Sequence, residues 1–116
     1  MQVFLNTDPH TDGRDEMAAH LKSVVQDALG RFGEQLTRVE AHLADANSRN
    51  KTSPDEIQCT LEARLVGLDP VVVKEQSPSA HQAIQGAVTK LQRAITTALA
   101  KHELRRTAAP RADPEA

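Results

Sequence analysis

Tryptophan and tyrosine are absent from this chain of 116 residues, and phenylalanine occurs twice, at Phe4 and Phe32. A core must therefore be built from Val, Leu, Ile and Ala. There is one cysteine, Cys59, which excludes an intramolecular disulfide and points to a cytosolic setting. The opening MQVFLNTD has no basic segment followed by a longer apolar run, so a signal peptide is not expected. No apolar stretch approaches the roughly 18 residues of a membrane span. The length suits one domain with a single modest core. These absences together predict a cytoplasmic domain without membrane contact.

The residues of catalysis are also thin. His10, His20, His42, His81 and His102 are scattered, and none has a metal-ligand spacing such as HExxH. His42 lies on the polar side of a strand pattern and reads as a surface residue. Cys59 falls on the apolar side of another, with nothing basic predicted beside it, so a buried small hydrophobe is the simpler reading than a nucleophile. Gly30 and Gly33 are helix-end residues, not a phosphate loop. Glu40 and Glu62 are placed to face each other on neighbouring strands, but exposed paired carboxylates need not be catalytic. The expectation is no enzyme, no metal, no cofactor and no small-molecule substrate.

What the chain does carry is a long amphipathic helix over 77–104, with Ser77 as N-cap and Pro78 as first helical residue. Ala80, Ile84, Ala87, Val88, Leu91, Ile95, Ala98 and Leu99 recur at helical spacing and form one stripe. Lys90, Arg93, Thr97 and Lys101 form a second stripe that Arg105 continues. The helix would be roughly 40 Å long. Charge is uneven along the chain. Residues 1–76 hold 8 Lys/Arg against 13 Asp/Glu, a net of −5, whereas residues 77–116 hold 6 against 3, a net of +3. A charged helix stripe is most often a solvated face, so this alone assigns no function.

The remaining chain reads as the sheet beneath that helix. Gln2–Asn6 is a short first strand. Asp12 is placed as N-cap of a first helix in which Met17, Leu21, Val24, Val25, Ala28, Leu29 and Phe32 face inward, with Gly33 as its C′ residue. Leu36–Ala46 and Glu56–Val66 alternate apolar and polar residues, and Val71–Gln76 is a fourth strand. The last three strands form an antiparallel meander. Residues 46–55 are a polar loop, and 105–116 are expected to be a disordered tail after a domain of residues 1–104. The predicted fold is α+β, a two-layer β-α-β-β-β-α arrangement with a four-stranded sheet and two helices on one face. Arg38, Glu40, His42, Gln58, Thr60, Glu62 and Arg64 would line the other face, without an apolar patch.

Arg31-Phe32-Gly33-Glu34-Gln35-Leu36 running into Thr37-Arg38-Val39-Glu40-Ala41-His42-Leu43 resembles the ribosome hibernation promoting factors, also called ribosome-associated inhibitor or sigma-54 modulation proteins. Ile57–Arg64, Val71-Val72-Val73, Ala80-His81-Gln82-Ala83-Ile84-Gln85 and Lys90-Leu91-Gln92-Arg93 resemble the family's later strands and last helix. The resemblance covers about residues 2–104. It implies a non-catalytic factor that binds the small ribosomal subunit and stalls translation in stationary phase or stress, a monomer off the ribosome. Family contacts run from basic side chains of the two helices to rRNA phosphates. Carried over by position, the implied rRNA-binding residues are Lys22, Lys90, Arg93, Lys101, Arg105 and Arg106. Lys and Arg neutralise phosphates without reading sequence, and scarce aromatics fit a mode that does not stack on bases.

The chain departs from the family in its net charge of −2 and in Glu34-Gln35, where a basic residue is common. Its short tail implies the short, single-domain type. A double-stranded RNA-binding domain has a similar layout, but the start of its last helix would carry lysines, not Ser79-Ala80-His81-Gln82-Ala83. The runner-up is an acidic protein-interaction domain that uses its mixed-charge sheet face and no RNA.

Overall fold

The computed structural model describes residues 1–7, 14–45 and 56–112, without the side chains of 14 and 105–112. The alternating stretches form four strands, β1 (Gln2–Thr7), β2 (Leu36–Asp45), β3 (Ile57–Leu65) and β4 (Val71–Ser77), in the sheet order β1-β2-β3-β4. The later three pair as an antiparallel meander, and β1 runs parallel to β2 because a helix carries the chain back between them. Register converts alternation into two surfaces. Val3, Val39, Ala63 and Val71 form one row on the inner face, and Leu5, Ala41, Leu61 and Val73 form the next. The third inner row reads Thr7, Leu43, Cys59 and Glu75, and so ends on a carboxylate.

Helices α1 (Arg14–Leu29) and α2 (Ala80–Ala112) both cover that inner face, as the two-layer expectation requires. Leu21, Val25 and Leu29 of α1 and Ile84, Ala87, Val88, Leu91 and Ile95 of α2 are buried against Val39, Ala41, Leu61 and Ala63. Helical side chains three and four apart share a face, so the periodicity alone selects these residues. No polar or charged residue is buried as a whole among the described residues, and Val, Leu, Ile and Ala make most of the core.

The ends of the helices differ from expectation. Ser77 is the last residue of β4, paired with Ile57, so its backbone is engaged in the sheet. Ser79 takes the capping role instead, its Oγ accepting from the Gln82 N–H at 3.2 Å. The chain leaves α1 through a 3₁₀ turn, Gly30–Phe32, and Gly33 stays right-handed with φ −48°, donating to the Gly30 carbonyl at 3.0 Å. The turn tightens the helix end without a left-handed C′ residue. Positive φ occurs among the described residues only at Gly67, in the β3–β4 connection (φ 75°). At the other end, α2 runs past Leu104 through 105–112, the stretch assigned from sequence to a disordered tail. Arg105-Arg106-Thr107-Ala108-Ala109 holds no helix breaker, and Pro110 falls only in the last turn. Asp12 and the loop 46–55 lie outside the described residues.

Cys59 is buried, as its strand phase predicted. Burial pushes its thiol up to about 12, and the Glu75 carboxylate opposite adds to the rise. At neutral pH the thiolate fraction is on the order of one in 10⁵. A soluble thiol reagent is therefore expected to leave the native protein unlabelled and to label it stoichiometrically in denaturant. Rapid labelling of the native protein would contradict the burial.

Candidate nucleic-acid interface

The inner stripe of α2 fixes which of its cations face water. Arg93 and Lys101 are exposed and carry no ion pair among the described residues. They stand roughly 12 Å apart along the helix axis. Lys90 is exposed too, but its Nζ lies 2.7 Å from Glu75 Oε1 and donates to the Lys74 carbonyl at 2.8 Å. It thus neutralises the carboxylate that ends the third inner row and caps a carbonyl of the outer strand β4. Gly86 belongs to the same arrangement. A Cβ there would lie 2.6 Å from Glu75 Oε2, so the glycine makes room for the carboxylate between helix and strand. Lys90 serves structure first, which its sequence position on the basic stripe did not reveal.

Lys22 is exposed on α1 beside a groove of about 300 Å³ lined by Val3, Leu5, Ala18, Ala19 and Leu21. That places it over β1, at the opposite edge of the sheet from Lys90 of α2, which lies against β4. Three inter-strand steps separate those edges, roughly 14 Å, so the six sequence candidates do not form one patch. Arg105 and Arg106 lie on the backbone of α2 where it continues past Leu104, and their side chains are outside the described residues.

One cation missed from the sequence joins the helix surface. Arg31, in the 3₁₀ turn after α1, sits over the Phe32 ring at 4.8 Å and donates to Thr96 Oγ1 on α2 at 3.4 Å. Thr96 is about one helical turn from Arg93, so Arg31 extends the α2 cations toward α1. Its signal was present in the Arg31-Phe32-Gly33 run. Its contact across 65 positions of sequence was not.

The open sheet face is a poorer phosphate surface. Arg38 and Arg64 pair along their own strands with Glu40 (3.3 Å) and Glu62 (3.4 Å), and His42 Nε2 is 3.8 Å from Glu40. Glu40 and Glu62 do oppose each other across β2 and β3. Phe4 and Val72 are also exposed on this face. They stand at opposite ends of one row with Glu40 and Glu62 between them, so no continuous patch forms, and the Arg38 guanidinium covers Phe4 at 4.8 Å. Among the described residues no group of three or more His, Cys, Asp or Glu could hold a metal ion. No described helix is long and apolar enough to cross a membrane.

A β-α-β-β-β-α sheet with cations on its helix layer can be set beside known proteins. Residues 7–103 match the family described as sigma 54 modulation protein / S30EA ribosomal protein. The chain belongs to this family. Two solved structures share the fold. One is a ribosomal subunit interface protein from Coxiella burnetii, 11% identical, with a TM-score of 0.59 over 89% of this chain and 98% of that one. The other is the Protein Y N-terminal domain of Thermus thermophilus, 21% identical, with a TM-score of 0.55 over 80% and 93%. At such identities the likeness speaks for the fold alone. No curated protein matches the sequence.

Proposed function

We propose that this protein is a ribosome-associated factor that binds the small subunit through rRNA phosphates and inhibits translation in stationary phase or stress, without catalysis or a cofactor. The observation that carries this reading is membership of the S30EA family across residues 7–103. The helix layer supports it: Arg31, Arg93 and Lys101 are exposed there, while the sheet-face arginines are neutralised in place. Lys22, Arg105 and Arg106 are further candidate contacts, and Lys90 contributes charge only where Glu75 releases it. Such contacts need phosphates at suitable spacing and no base sequence.

Phosphate binding releases counterions, so affinity falls steeply as salt rises. Purified protein is expected to co-sediment with 30S or 70S particles at low salt and to leave them as salt is raised. Absence from the particle fraction even at low salt would sink the ribosomal reading. It would leave the protein-interaction domain that the net charge of −2 favours.

A further inference from the structure

His20 of α1 and His81 of α2 meet edge to face, with ring centroids 4.4 Å apart and planes at 90°. We propose that this pair is a proton-sensitive clasp: protonation of His20 drives α1 away from the first turn of α2 and loosens the helix layer. His20 is half-buried, but its Nε2 is fully buried and has no hydrogen-bond partner. A proton carried at Nε2 finds no acceptor, the ring's relief is limited to a weaker hydrogen bond with the His81 backbone, and burying a poorly paired charge is unfavourable.

The surroundings give that charge little relief. His81 lies in the first turn of α2, where helix dipoles present positive potential and no acidic residue stands. From Ala80 to Thr89 the helix carries no Asp, Glu, Lys or Arg, so His81 is the titratable group that this part of α2 offers. On α1, Asp15, Glu16 and Asp27 are exposed, and none donates or accepts at His20 Nε2. From the sheet, Glu75 reaches the Gly86 position of α2 but is held by Lys90. Desolvation, then the His81 charge, hold His20 below the ordinary value of 6.5, against a smaller opposing hydrogen bond with the His81 backbone.

The sign follows by linkage. Below about pH 6.5 the unfolded chain takes up a proton that the folded chain refuses. The stability due to neutral His20 is therefore full above that pH and is lost as pH falls through the folded value. The contact is independent of the proposed ribosomal function, since neither measurement below needs ribosomes.

The test is chemical denaturation of the full chain between about pH 7.5 and 5.5, which brackets the ordinary histidine range, with NMR titration of the histidine rings. The denaturation midpoint of the wild type is expected to drop on acidification, and the drop to flatten in His20→Gln. In the wild type His20 should titrate below 6.5. In His81→Gln, which alters an exposed ring and serves even if His20→Gln fails to fold, the His20 midpoint should move up. A His20 midpoint at or above 6.5, an unmoved midpoint in His81→Gln, or an unchanged acid drop in a folded His20→Gln would each overturn the clasp.

Discussion

Arg31→Glu, Arg93→Glu and Lys101→Glu together are expected to abolish co-sedimentation with ribosomal particles while the domain stays folded. Each side chain is exposed. Arg93 and Lys101 stand away from special contacts, where substitutions usually change stability by within about 0.5 kcal/mol. Arg31→Glu also gives up the Phe32 and Thr96 contacts, and its folding is checked by itself. Each cation that meets a phosphate should, when removed singly, lower the salt slope of binding by about 1. Single and double variants should therefore step down the slope before binding vanishes. Lys90 is left out deliberately. A glutamate there would face Glu75, which Lys90 now meets at 2.7 Å, and lost folding would be confused with lost binding. Undiminished binding by a folded triple variant would remove the helix layer from the proposed interface. Adding Lys22→Glu separately asks whether the β1 edge takes part.

Leu91→Ala is expected to destabilise the protein by about 2–5 kcal/mol in chemical denaturation. Leu91 is fully buried, at the centre of the α2 stripe, with Ile84, Ala87, Val88 and Ile95 on the same side. Truncation removes transfer energy and leaves a cavity that a helix pinned on a sheet closes poorly. The size of the loss matters because a domain of this length has only about 5–15 kcal/mol in total. A loss under about 1 kcal/mol would mean that the stripe is mis-phased, and with it the solvent orientation of Arg93 and Lys101. The two experiments thus check opposite faces of one helix.

The inner and outer surfaces of this domain are legible in the amino-acid sequence, because strand and helix periods directly encode which side chains point together. Val39, Ala41 and Leu43 have to lie opposite Arg38, Glu40 and His42, and the stripe through Leu91 has to face a sheet. Helix ends are less legible. Ser77 and Ser79 flank the same proline, and only the pairing of Ser77 with Ile57 decides which serine is free to cap. The continuation of α2 past Leu104 is likewise open in the sequence, since local propensity alone does not fix where a helix stops.

The six cations taken from sequence show the same division. That Arg93 and Lys101 face water follows from the period of α2. That Lys90 is held by Glu75, that Lys22 lies at the far edge of the sheet, and that Arg31 reaches Thr96 do not, because each depends on which strand or helix lies alongside. The scarcity of aromatics, the single cysteine and the apolar periodicity determined by themselves a Val/Leu/Ile/Ala core with two helices over one sheet. Tertiary structure alone decided which charges are spent inside the fold and which remain at its surface. Charge pairing depends on distances between residues far apart in sequence, and a linear pattern does not contain them.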